Sequence, residues 1–186
     1  MDQKQYGGRQ KMSKAGPGKK LADENSITVT TITTMMSAAR TVDGMDGIMI
    51  LDGPDTPAPD GWVKSTQDLN EGSGGAYLYL CLHPSFPGKI TDLAIVNTGG
   101  DPSPSAPAGF TVVQDQSGRA VDMNRGAGGD YLWLSFLATP GDNVIKDVAT
   151  VASTSSDPDS APGFARVNGD VNQGAGGLYI YIEVLK

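Results

Sequence analysis

Apolar and polar side chains alternate most regularly in three short segments of the chain. These segments read YLYL at residues 77–80, YLWL at 131–134 and YIYI at 179–182. Alternation with a period of two places successive side chains on opposite faces of a β-strand. The pattern therefore predicts three strands, each with aromatic residues on one face and Leu or Ile on the other.

Each predicted strand closes a repeating unit of the chain. The motif D-x-N-x-G-[SA]-G-G precedes it and begins at Asp68, Asp122 and Asp170. Further upstream, each copy carries a Pro-Gly-aromatic block (APDGW, APAGF and APGF) and an apolar block (DGIMIL, DLAIVN and DVATV). Three blocks that recur in the same order at a spacing of roughly 50 residues indicate an internal repeat.

The repeat predicts an all-β fold. Each unit contains short strand signals separated by turns, and its single apolar face cannot be buried by that unit alone. Three sheets packed around a common axis would bury these faces together. We therefore predict a β-prism with internal pseudo-threefold symmetry, built from repeats over approximately residues 43–83, 89–137 and 144–186. Helices are not expected, because 25 glycines and 12 prolines interrupt almost every window.

The chain of 186 residues is predicted to form a single domain over residues 26–186, preceded by a tail over residues 1–25. The first 20 residues hold six basic side chains and one acidic side chain, whereas the whole chain has a net charge of -7. This composition predicts a disordered basic tail. Its candidate contact residues are Lys11, Lys14, Lys19 and Lys20. The Thr-rich start of segment 27–40 predicts an extra or swapped strand.

The charge and the cysteine content limit which binding partners and which cellular compartment are expected. The acidic body repels phosphate polymers, so no nucleic acid partner is expected. Cys81 is the only cysteine, which rules out an internal disulfide and favours a reducing compartment. Residues 1–20 lack an apolar segment of the kind found in secretory leaders. We therefore expect an acidic, soluble, cytoplasmic monomer that associates with membranes only peripherally.

The repeated Asp-x-Asn pairs are the first candidate site residues. Short polar side chains followed by glycines favour tight turns, and this structural role is the preferred interpretation. The alternative is calcium, since D-x-N-x-G resembles the start of an EF-hand loop. The motif lacks the acidic residue at position five and the glutamate at position twelve, so no metal or other cofactor is predicted. The pairs are Asp68 and Asn70, Asp122 and Asn124, and Asp170 and Asn172.

The aromatic residues of the alternating strands are the second candidate site. They either cap the outer face of each sheet or form a platform for a sugar, a peptide or a protein. They are Tyr77, Tyr79, Tyr131, Trp133, Tyr179 and Tyr181. No catalytic arrangement is recognisable, because Cys81 and His83 share a strand face without a third orienting group. The chain is therefore predicted not to be an enzyme.

The D-x-N-x-G-x-G-G-x-Y-[LI]-[YW]-[LI] repeat, with P-x-G-[FW] upstream, resembles the β-prism domains associated with multivesicular-body sorting subunits. It is also similar to vacuolar-sorting-like and insecticidal-toxin-like repeats, and the resemblance covers residues 43–186. It implies a β-prism, and in the sorting branch a basic, apolar-tipped loop engages acidic phospholipids. The long loops here, residues 52–60, 97–108 and 152–162, carry Asp, Ser and Pro instead. No lipid-binding residue is therefore carried over.

These observations together predict a non-catalytic binding or scaffolding module. A membrane- or trafficking-associated role is the leading hypothesis, with the basic tail contacting anionic lipid or a protein partner. One alternative is a lectin-like module that binds carbohydrate through Asp/Gly loops and exposed aromatic residues. A second alternative is a small structural subunit of a larger assembly.

Overall fold

A computed structural model describes residues 30–34, 44–85, 87–139, 141 and 143–186. These residues form short strands joined by turns, without a helix. The strands are β1 (Thr30–Thr34), β2 (Gly44–Asp52), β3 (Val63–Lys64), β4 (Leu78–Ser85), β5 (Ile90–Asn97), β6 (Thr111–Val112), β7 (Leu132–Ala138), β8 (Asp147–Ser153), β9 (Ala165–Arg166) and β10 (Tyr179–Leu185).

The strands pair into three antiparallel sheets, one for each repeat. Their orders are β2-β4-β3, β5-β7-β6 and β1-β8-β10-β9. In every sheet the strand that carries the alternating motif lies between the apolar strand and the short strand of its own repeat. The predicted all-β prism with pseudo-threefold symmetry is therefore confirmed.

The Thr-rich segment supplies one strand to the third sheet. Strand β1 pairs antiparallel with β8, with Thr30 opposite Ser153 and Thr34 opposite Ala149. The predicted extra strand therefore exists over residues 30–34 and joins the sheet of the last repeat. Strands β1 and β8 are far apart in sequence, so this pairing joins the beginning of the described chain to its last repeat.

The core lies where the inner faces of the three sheets meet. It is formed by one continuous cluster of buried aliphatic side chains from all three repeats. The motif strands contribute Leu78, Leu80, Leu82, Leu132, Leu134, Ile180 and Ile182 to it. Tyr79 packs in a separate cluster with Leu51 and Cys81, on the opposite face of the first sheet. Period-two alternation along β4 thus separates core residues from outer-face residues.

The outer faces of the sheets are covered by the long acidic loops. In the first repeat, Lys64 Nζ donates hydrogen bonds to the carbonyl groups of Gly53, Pro54 and Thr56 at 2.8–2.9 Å. The same ammonium group lies 4.3 Å from the ring centroid of Tyr79. This cation–π contact and the three hydrogen bonds fix the loop against the sheet.

The third repeat repeats this arrangement with an arginine. The Arg166 guanidinium lies 4.3 Å from the ring centroid of Tyr181 and donates a hydrogen bond to the Pro158 carbonyl. Its Nε donates to the carboxylate of Glu183 at 3.2 Å. Glu183 is fully buried and also accepts the backbone N–H of Ala161 at 2.7 Å. A buried ion pair therefore connects β9, β10 and the long loop of this repeat.

Candidate binding site

The Asp of each repeat motif organises a turn through its backbone contacts. We call residues 68–77, 122–131 and 170–179 the three glycine turns. In the first glycine turn, Asp68 Oδ1 accepts the backbone N–H groups of Asn70 and Leu78, both at 3.0 Å. Asp122 and Asp170 make the equivalent pairs of hydrogen bonds. Each carboxylate thus joins the start of its turn to the start of the following strand.

The Asn of each motif closes the same turn from the inside. In the first turn, Asn70 Nδ2 donates to the Ala76 carbonyl at 2.8 Å. Asn124 and Asn172 make the same bond at the same distance to the carbonyls of Asp130 and Leu178. These contacts show the Asp-x-Asn pairs in the structural role that the sequence favours, which is to hold a tight turn.

The three glycine turns also bond to one another. A backbone N–H just before the tyrosine of each turn donates to a carbonyl in the next turn, and the third turn bonds back to the first. The three bonds run from Ala76 to Arg125 at 2.8 Å, from Asp130 to Gln173 at 3.4 Å and from Leu178 to Glu71 at 3.2 Å. The turns therefore form a closed ring around the pseudo-threefold axis at one end of the prism.

A groove lies beside the first glycine turn. Its cavity volume is about 460 Å³, and it is lined by Asp68, Asn70, Gly72, Gly74, Gly75 and Tyr77. The side chain of Tyr77 is 57% exposed, and no other large hydrophobic residue is exposed among the residues that the structure describes. An exposed aromatic ring, a carboxylate and glycine backbone therefore share one concave surface.

The six aromatic residues predicted as a platform differ greatly in exposure. Tyr79, Trp133 and Tyr181 are buried beneath the long loops, whereas Tyr131 and Tyr179 are half-buried. Tyr131 stacks on Trp133 with ring centroids 6.5 Å apart and an interplanar angle of 6°. Trp133 Nε1 donates to Thr98 Oγ1 at 3.2 Å. Tyr77 is therefore the aromatic residue most available to a ligand.

The surroundings of the groove are acidic. Burial raises the pKa of Tyr79, and the negative charges of Asp68, Asp55 and Glu71 raise it further. No lysine or arginine lines the cavity. An anionic ligand would meet unfavourable charge here, so the groove suits a neutral or cationic ligand.

Cys81 and His83 do not form a reactive pair. Cys81 is fully buried in the outer cluster, and burial raises the pKa of its thiol to about 11. His83 instead binds Asp46, with 2.6 Å between Nδ1 and Oδ1. Burial raises the pKa of Asp46, but hydrogen bonds from His83 and Ser85 and the charge of Lys89 outweigh it, so the net pKa is lowered. The Cys81 thiol stays protonated and inert at neutral pH.

The Asp46–His83 pair and the Arg166–Glu183 pair were not anticipated from the sequence. Their partners are separated by 37 and 17 residues, and no single repeated block contains both members of either pair. The groove glycines lie inside the repeat motif, but only a turn role was assigned to them. Among the described residues, no group of three or more His, Cys, Asp or Glu side chains is placed to hold a metal ion.

The predicted tail contacts, Lys11, Lys14, Lys19 and Lys20, lie outside the described residues. Within the described part of the chain, no helix is long and apolar enough to cross a bilayer. No protein-family model matches the chain, and no curated protein matches it. The resemblance to sorting-associated β-prisms therefore stays a prediction.

Proposed function

We propose that this chain is a non-catalytic binding module that holds a neutral, hydroxyl-rich ligand of the carbohydrate class in the groove beside the first glycine turn. The observation that carries the proposal is Tyr77, whose side chain is 57% exposed on the wall of a cavity of about 460 Å³. Ligand cavities of roughly 300–1,000 Å³ are typical of small-molecule sites.

The residue types in the groove suit a sugar. A tyrosine ring offers an apolar face against which the C–H face of a sugar ring packs, together with a polar hydroxyl group. Asp68 uses Oδ1 for two backbone N–H groups, which leaves Oδ2 as an acceptor for ligand hydroxyl groups. The glycines of the turn carry no side chain, so a ligand would approach the backbone closely.

The negative charge of the groove favours a neutral carbohydrate over an anionic lipid as its ligand. Asp68 contributes negative charge to the groove, and no basic residue lines it. Binding of a neutral ligand would also be insensitive to salt, because screening acts on charge–charge interactions.

Tyr77→Ala is expected to weaken glycan binding by about tenfold or more, because loss of an anchoring aromatic contact typically costs at least ~1.4 kcal/mol. A glycan array on the full chain would identify the ligand, and calorimetry would then compare affinities. The matched control is Tyr179→Ala, which removes the equivalent tyrosine of the third repeat and should leave the affinity unchanged. Equal losses in both variants, or no glycan bound by the intact chain, would contradict the proposal.

A second candidate function is contact with anionic lipid or a protein partner through the basic tail. The specific observation is the excess of six basic over one acidic residue in the first 20 positions. Co-sedimentation with anionic liposomes separates the two candidates. Binding that falls with salt and is lost when residues 1–25 are removed assigns the tail, whereas the sugar site would survive this truncation.

A further inference from the structure

Each of the three motif asparagines leaves one buried side-chain atom without a hydrogen-bond partner. The atoms are Oδ1 of Asn70, Asn124 and Asn172. These residues are only 2%, 2% and 0% exposed. Buried polar atoms in folded proteins are nearly always paired, so each exception needs a physical explanation. Because the same atom is unpaired in all three repeats, the explanation belongs to the motif and not to one local contact.

The orientation of these amides is fixed by their nitrogen atoms. In every repeat, Nδ2 donates at 2.8 Å to the carbonyl six residues later in the same turn. Exchanging oxygen and nitrogen would place Oδ1 against that carbonyl oxygen, which is repulsive. The unpaired atoms are therefore oxygens, and each can only be satisfied by a donor or a cation.

The three asparagines lie where the glycine turns meet. Asn124 Nδ2 donates a second hydrogen bond, at 2.8 Å, to the carbonyl of Gln173 in the next turn. This same carbonyl accepts one of the three bonds that close the ring. The residues directly before the asparagines, Leu69, Met123 and Val171, are fully buried in the core cluster. The asparagines thus occupy equivalent positions between the ring and the core, around the pseudo-threefold axis.

The presence of three acceptor oxygens limits which species could interact with all of them at once. A water molecule has two protons, so a single water on the axis would satisfy at most two of the three oxygens. A cation interacts equally with all three. The carboxylates of Asp68, Asp122 and Asp170 stand two residues before the asparagines, and these half-buried groups place negative charge around the same axis.

We propose that Asn70, Asn124 and Asn172 direct their Oδ1 atoms at one small monovalent cation, such as Na⁺ or K⁺, bound on the pseudo-threefold axis beneath the ring of glycine turns. Neutral carbonyl-type oxygens are suitable ligands for such ions. Calcium prefers several carboxylates in its first coordination sphere, whereas the three unpaired atoms here are neutral amide oxygens. The ion stabilises the closed end of the prism.

Anomalous diffraction from crystals of the full chain in rubidium chloride tests the site directly. The expected result is one peak on the axis within about 3 Å of all three Oδ1 atoms, a distance range set by carbonyl coordination of alkali ions. The absence of a peak at this position overturns the proposal, including the case in which water density occupies the axis.

Thermal unfolding gives an independent measurement in solution. At equal ionic strength, the melting temperature in potassium or sodium chloride should exceed that in choline chloride by roughly 3 °C or more, because choline is too large for the site. Equal melting temperatures in all three salts overturn the proposal. Stabilisation by calcium chloride alone overturns the assignment of a monovalent ion.

Asn124→Asp tests whether the ring asparagines are the ligands. The variant loses the two Nδ2 hydrogen bonds in every salt. A carboxylate at this position should nevertheless at least double the difference in melting temperature between potassium and choline, because it strengthens attraction for the cation. The control is Asn168→Asp, which makes the same charge change at an exposed position and should leave the difference unchanged. An unchanged difference in both variants overturns the assignment, and the rubidium experiment decides it if the ring variant fails to fold.

Discussion

Arg166→Ala is expected to destabilise the prism by about 3–5 kcal/mol, the usual cost of removing one partner of a buried ion pair. The cost is large because the carboxyl group of Glu183 is 0% exposed and would lose its positively charged partner. The variant also removes the contact with Tyr181 and the hydrogen bond to Pro158 that fix the long loop of the third repeat. Chemical denaturation of the two proteins measures the change in the free energy of unfolding.

Arg119→Ala is the control for this prediction. Arg119 pairs with Asp115 at 3.3 Å, but its side chain is 78% exposed, and exposed pairs contribute only about 0–1 kcal/mol. The double variant Arg166→Ala/Glu183→Gln should recover part of the loss, because it removes the unpaired buried charge. A cost for Arg166→Ala as small as that for Arg119→Ala would show that the pair does not hold the loop.

Gly177→Ala is expected to be a strongly disruptive single-methyl change in the glycine turns. A Cβ at this position would lie 2.6 Å from backbone atoms of Gly72 and Ser73 in the neighbouring turn, and φ is +74°. The left-handed backbone alone costs an alanine about 1–2 kcal/mol. Overpacking against a rigid backbone adds roughly 1–3 kcal/mol.

Gly176→Ala is the matched control for the contact between turns. Gly176 also has a positive φ, +86°, but a Cβ there would meet nothing within 4 Å. It should therefore show only the cost of the left-handed conformation. The difference between the two variants in the free energy of unfolding measures the packing of the ring. Equal losses of unfolding free energy in the two variants would mean that close packing between the turns contributes no measurable stability.

The sequence determined the architecture through its repeat and its alternation. Leu78, Leu132 and Ile180 follow the tyrosines of three equivalent motifs, and all three are fully buried in one core. Period-two alternation assigns side chains to faces, and three identical apolar faces need a shared axis. The turn role of the Asp-x-Asn pairs was also predictable, because it depends on hydrogen bonds within about ten residues of chain.

Only the tertiary structure decided what covers each outer face. Alternation predicts that Tyr77 and Tyr79 lie on the same side of the sheet. Tyr77, which directly precedes β4, is exposed, whereas Tyr79 is buried under the loop that Lys64 fixes. Alternation specifies the direction of a side chain, whereas its exposure depends on where a loop distant in sequence returns to the sheet. The pattern therefore did not separate the ligand-accessible tyrosine from the structural one.

The contacts between the glycine turns were also decided only by the tertiary structure. Each motif specifies its own hydrogen bonds, but the ring exists only when three turns from distant repeats meet. The pairing of β1 with β8 likewise depends on which sheet edge is free after the repeats have packed. The sequence thus determined the repeating unit and its inner face. The return of the long loop to the third sheet decided the buried ion pair, and closure around the axis decided the ring of glycine turns.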